Sequence, residues 1–133
     1  MQDFHRLLVW ERAHWFALDV RRSTRTFPRT GYSELKSQLI RSAESIAYNI
    51  VEGCAADTRR EFARFVDISV KSTAEVEYQL LLAKDYGIMP PRTWQTLSAE
   101  VVEIRKMLCG LRRKLLTADR ADRKGRRDST SEE

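Results

Sequence analysis

The sequence predicts an all-α fold: an antiparallel up-down-up-down four-helix bundle, followed by a charged C-terminal tail. Three observations predict it. Apolar residues recur at spacings of 3 and 4 in four separate segments, glycine and proline fall between those segments, and no stretch alternates as a half-buried strand would. Segments of about 20 to 29 residues with short connections favour antiparallel neighbours. The bundle is assigned to residues 1–116 and a flexible tail to residues 117–133. With 133 residues and 42% hydrophobic content, the chain fits one small domain burying a modest core.

The first helix is expected from Phe4 or His5 to Thr26, where Val9, Ala13, Phe16, Val20 and Phe27 recur at helical spacing. Phe27-Pro28 ends it, because a residue before proline is pushed out of the α region. The second helix is expected from Ser33, as its cap, to Gly53. Thr58-Arg-Arg-Glu61 reads as a capping box opening the third helix, whose apolar stripe includes Phe62, Phe65, Val66, Val76, Leu80 and Ala83. Gly87 suits the left-handed position after that helix, and Pro90-Pro91 prevents its continuation. The fourth helix starts near Pro91 and carries an unbroken seam, Trp94, Leu97, Val101, Ile104, Leu108, Leu111 and Leu115. Beyond Thr117 the chain is densely charged and lacks large apolar residues, so it is expected to stay disordered.

The second helix has two differently specified faces. Leu35, Leu39, Ala43, Ile46, Ala47 and Ile50 share one arc and read as core. Gln38, Arg41, Ser45, Asn49 and Glu52 share another. Small uncharged Ser45 and Asn49 are unusual on a solvated surface, so this arc is expected to meet protein, either the third helix or a neighbouring subunit.

The run Ser45-Ile-Ala-Tyr-Asn-Ile-Val-Glu-Gly53, preceded by Gln38-Leu-Ile-Arg41, resembles the central signature of the four-helix-bundle proteins called 23S rRNA intervening-sequence or S23 proteins. Leu8-Val-Trp10, Ala13, Phe27-Pro28, Glu61-Phe62, Phe65, Ser72, Glu75 and Gln79 extend the resemblance in the family's order across roughly residues 4 to 115. It implies a small bundle that assembles with itself, several members being cyclic homopentamers. Members are also similar to accessory proteins of diversity-generating retroelements, which bind a reverse transcriptase and nucleic acid. On that resemblance the motif and interface residues are Gln38, Arg41, Ser45, Asn49, Glu52, Gly53, Ser72, Glu75 and Gln79.

Composition narrows the function classes. The longest apolar runs are about four residues, far below the roughly 20 that span a bilayer, and residues 1–15 are interrupted by charge where a secretory signal would be apolar. No membrane association and a cytoplasmic location are expected. Cys54 and Cys109 are expected to be reduced and mostly buried.

Glu11-Arg-Ala-His14 has the Glu-x-x-His spacing of di-iron bundles, yet His5 is the only other histidine and no second copy exists. No metal site and no cofactor are expected. With no nucleophile elbow and no phosphate-cradling glycine loop, the chain is not expected to be an enzyme. Glu77 borders apolar neighbours, where a bare charge is costly, and Arg41 is its favoured partner.

The net charge of +5 lies wholly in the bundle, with 19 basic against 14 acidic residues, because the tail sums to zero. Arg21, Arg22, Arg25 and Arg29 cluster at the end of the first helix; Arg112, Arg113 and Lys114 cluster near the end of the fourth. The helix dipole favours cations there by a few tenths of a kcal/mol. In an up-down bundle the two clusters lie at opposite ends, and oligomerisation would multiply them into basic surfaces for RNA. The expected function is therefore a non-enzymatic homo-oligomeric bundle binding RNA or a nucleic-acid-processing partner such as a reverse transcriptase. The alternative is a purely structural interaction module.

Overall fold

The structure, a computed structural model, describes residues 2–131 of the chain, with side chains through residue 129. A short 3-10 turn, Phe4–Arg6, precedes four helices: α1 Leu8–Ser23, α2 Ser33–Cys54, α3 Arg59–Asp85 and α4 Pro91–Ser131, with a second 3-10 turn, Thr24–Thr26, after α1. Each helix packs on its neighbours in sequence, and α1 also packs on α4, which closes the ring of an up-down-up-down bundle.

Local chemistry sets most of the boundaries. Thr58 is the N-cap of α3, its hydroxyl accepting from the Glu61 amide at 3.1 Å. Gly87 takes φ +77° after α3, where Ile88 N–H donates to the Ala83 carbonyl at 3.0 Å and Gly87 N–H to that of Lys84 at 2.9 Å. That is a Schellman ending, which uses up two carbonyls the helix leaves unpaired. Two expectations are corrected. The first helix is not continuous: Leu7 is extended, and the chain is 3-10 at both ends. Ser33 is the first helical residue of α2, and Tyr32 precedes it as an N-cap without a side-chain bond.

The core lies where the 3-and-4 spacing put it. Ala13, Phe16 and Val20 of α1, Leu39, Ala43, Ile46 and Ile50 of α2, Val66, Val76 and Leu80 of α3, and Val101, Ile104 and Leu108 of α4 are all buried. Phe27 and Met89, from the two connections at one end, close it there. Leu35 and Ala47 of the expected core arc are half-buried at its margin.

The tail differs most. Instead of ending near Thr117, α4 continues as a helix through Ser131, with exposed side chains from Arg120 to Ser129. Its heptad phase carries on into polar residues, and Asp122 comes level with the first turn of α3, where it pairs with Arg59. Asp119 pairs with Arg123 one turn along at 3.2 Å. The helix runs on for about nine further residues, roughly 13 Å at 1.5 Å per residue. Glu132 and Glu133, the last residues of the expected disordered tail, lie outside the described residues. No helix among the described residues is long and apolar enough to cross a membrane.

Candidate functional site

The motif residues meet along the seam between α2 and α3. Small side chains let the two backbones approach: Ser45 Oγ and Ser72 Oγ share a hydrogen bond at 2.9 Å, and buried Ser69 donates to the Ile46 carbonyl at 2.8 Å. Asn49 turns back along its own helix, donating to the Ser45 carbonyl at 2.8 Å and to Ser45 Oγ at 3.0 Å. This fixes Ser45 from both sides. At the end of the seam Gly53 leaves room for an aromatic ring, since a Cβ there would sit 2.6 Å from Cδ1 of Phe62.

The outer part of the arc behaves differently. Gln38, Arg41 and Glu52 are exposed in the single chain, and Arg41 reaches only Ser37 Oγ, at 3.2 Å. Only Ser45 and Asn49 of the five are half-buried against α3. Glu75 accepts from Ser42 Oγ at 3.3 Å, and the carboxamide oxygen of Gln79 is shielded with no hydrogen-bond donor beside it. The expected Arg41–Glu77 pair does not form. Glu77 is held by Arg105 of α4 at 3.0 Å, because the face of α3 that carries it turns toward α4 and away from α2.

His14 stacks on Trp10 with ring centroids 5.2 Å apart, His5 pairs with Asp3 at 2.8 Å, and among the described residues no group of three or more His, Cys, Asp or Glu could hold a metal. Both cysteines are free. Cys54 is buried, and its thiol is pushed above the ordinary value first by desolvation and then by the charge of Asp3. Cys109, expected to be mostly buried, is exposed, because its position on α4 lies off the core seam.

The basic clusters do lie at opposite ends. The α1 cluster sits beside the α2 start and the α3 end, where Tyr32 and Tyr86 approach to 5.8 Å between centroids. The α4 cluster sits toward the α3 start. Several cations are neutralised locally: Arg21 faces Glu44 at 3.7 Å, Arg22 faces Asp19 at 3.3 Å, and Arg112 holds Asp67. Arg25, Arg29, Arg113 and Lys114 are exposed and make no ion pair with a described residue. Across the bundle, Arg12 clamps α1 to α4 through a two-point contact with Glu100 at 2.9 and 2.7 Å, which raises the guanidinium above its already high ordinary value.

Sequence reasoning did not single out Ser42, Arg105 or the cations beyond Lys114. The last had a visible signal: Lys106, Arg113, Arg120 and Arg127 are spaced by seven.

Comparison with solved structures gives a crystal structure of a protein of unknown function from the S23 ribosomal protein family of Bacteroides thetaiotaomicron. It is 23% identical, with a TM-score of 0.71 over 78% of this chain and 97% of the other, and so shares the fold. No curated protein matches the chain. The model of the family described as 23S rRNA-intervening sequence protein matches residues 5–110, which take in α1 to α3 and the first half of α4, and the chain belongs to that family.

Proposed function

We propose that this chain is a non-enzymatic, homo-oligomeric helical bundle that binds RNA or a nucleic-acid-processing partner. The observation that carries the reading is the segregation of unpaired cations. Arg25 and Arg29 stand exposed at one end, and Arg113 and Lys114 toward the other, while Glu44, Glu77 and Glu100 are each matched by an arginine. Phosphates would find these groups without breaking an existing pair. A cyclic homopentamer, a reverse transcriptase partner and kinship with retroelement accessory proteins belong to the same proposal and rest on family resemblance. The absence of enzymatic chemistry is part of it too, and is supported by the pairing of His5 with Asp3 and the stacking of His14 on Trp10.

A specific observation favours the alternative, a structural module. Leu8, Trp15 and Leu18 follow a 7-and-3 spacing along one line of α1 and are all exposed, as are Tyr48, Ile68 and Tyr78 on α2 and α3. Both readings predict self-association, visible by sedimentation. They separate on RNA: binding that weakens steeply with salt supports the first, whereas no retention at about 20 mM salt, well within the regime where phosphate contacts dominate, supports the second.

A further inference from the structure

We propose that α4 carries a phosphate-docking ridge, Lys106, Arg113, Arg120, Lys124 and Arg127, that lies along the backbone of a nucleic-acid duplex; this rests on the nucleic-acid reading above and names its site. All five side chains are exposed on a helix that runs unbroken through them. At about 100° per residue they fall within an arc of roughly 60°. The ridge is opposite the seam of Ile104, Leu108, Leu111 and Leu115, a phase that Asp119 and Asp122 continue in the tail. Asp119 and Asp122 are thus turned to the other side, where Asp122 meets Arg59 and Asp119 meets Arg123, and Asp128 is the one acidic residue of the described extension on the ridge side. Of the ridge residues only Lys106 makes an ion pair with a described residue, Glu103 at 3.3 Å.

The helix dipole does not account for this pattern. Its preference for cations fades within the last turn, whereas the ridge begins in the middle of α4 and extends about 31 Å at 1.5 Å per residue. That length is close to one duplex turn of about 34 Å. A duplex suits the ridge better than a single strand. Binding of single strands relies on aromatic side chains for base stacking, and the one aromatic of α4, Trp94, is at the far end of the helix beneath the ammonium of Lys84, 4.0 Å from its ring. The proposed contacts are to phosphates, which carry no sequence information, so binding is independent of sequence.

The test compares the full-length protein with two triple variants: Arg113→Gln/Arg120→Gln/Lys124→Gln on the ridge, and Arg21→Gln/Arg22→Gln/Arg25→Gln at the other end. Glutamine keeps helix propensity close to that of arginine and lysine, so circular dichroism and sedimentation should match the parent. Fluorescence anisotropy is read with an RNA duplex of 20 base pairs, the DNA duplex of the same sequence and one RNA strand alone, at 50 and 200 mM salt. Each phosphate contact contributes about 3.5-fold to the weakening over that fourfold salt range, so removing three should reduce the parent's salt response by about 40-fold. The α1 triple should reduce it by no more than about 3.5-fold, the share of the single unpaired cation Arg25, because Arg21 and Arg22 already face Glu44 and Asp19. Equal affinity for RNA and DNA duplexes means that the backbone alone is recognised; a preference for RNA means that its A-form groove contributes as well, and either supports the ridge. Tighter binding of the single strand, an unchanged ridge variant, or equal losses in the two triples overturns it. If the parent binds none of the three probes, the nucleic-acid function falls together with the ridge, whereas an unchanged ridge variant beside a binding parent removes the ridge alone.

Discussion

Replacing Gly53 by alanine tests the close approach of α2 and α3 directly. Alanine is better than glycine in a helix by about 1 kcal/mol, so on propensity alone the change should stabilise the protein. Packing opposes it. The added methyl would lie 2.6 Å from Phe62 Cδ1, 2.9 Å from Cε1 and 3.2 Å from Phe65 Cβ, and Phe62 is buried. Carbon atoms prefer separations of about 3.5–4.0 Å, so the ring must move by about 1 Å. Overpacking of this kind costs about 1–3 kcal/mol, leaving a net loss of about 1 kcal/mol once the propensity gain of about 1 kcal/mol is subtracted. Gly110 supplies the matched control, because a Cβ there meets nothing within 4 Å. Gly110→Ala should gain up to about 1 kcal/mol. In a chain of this size 1 kcal/mol moves Tm by about 4 °C, so the two variants should melt about 8 °C apart with the parent between them. Equal stabilisation by both would refute a packed seam at Gly53.

Other outcomes follow from the same geometry. Truncation after Leu116 should lower helical ellipticity in proportion to the segment removed yet leave the melting temperature nearly unchanged, since the Arg59–Asp122 pair is exposed and such pairs contribute about 0–1 kcal/mol; a large drop in Tm on thermal melting would mean that the extension anchors the bundle. Arg105→Ala should destabilise by up to about 1 kcal/mol in urea titrations, because it strips Glu77 of its partner, whereas Arg41→Ala should change stability little. In the native protein a maleimide should label Cys109 rapidly at neutral pH and leave Cys54 untouched until denaturant is added. Burial and Asp3 raise the Cys54 pKa, which makes its thiolate scarcer still at neutral pH.

The fold was legible because each helix carries its own apolar period and its own stop signal. Val9, Ala13, Phe16 and Val20 needed no partner to be recognised as core, and Gly87 followed by Pro90-Pro91 marks an end in any context. The pairing of Glu77 was not legible. On α3 alone its neighbours show only that a cation is wanted, and whether Arg41 of α2 or Arg105 of α4 supplies it depends on the rotation of α3 between its two neighbours, which no single helix specifies. The seam was half legible for the same reason. Ser45 and Asn49 stood out as too small for a free surface, while Ser42 and Ser69 matter only once α2 and α3 are in register and Glu75 and the Ile46 carbonyl come within reach.

The tail shows how a sum can hide an arrangement. Counted along the chain, its cations and carboxylates cancel, which suggests a neutral and featureless end. Once α4 continues, the same residues are sorted by face. Asp122 faces α3 and meets Arg59, while Arg120, Lys124 and Arg127 continue a line already begun by Lys106 and Arg113. The field that a phosphate meets depends on which charges lie within about 10 Å of it, roughly the Debye length at 0.1 M salt, and not on the total. Heptad phase therefore carries information past the point where apolar residues stop. An extension without a core of its own inherits the orientation of the helix it prolongs, and with it the line of cations that Lys106 and Arg113 begin.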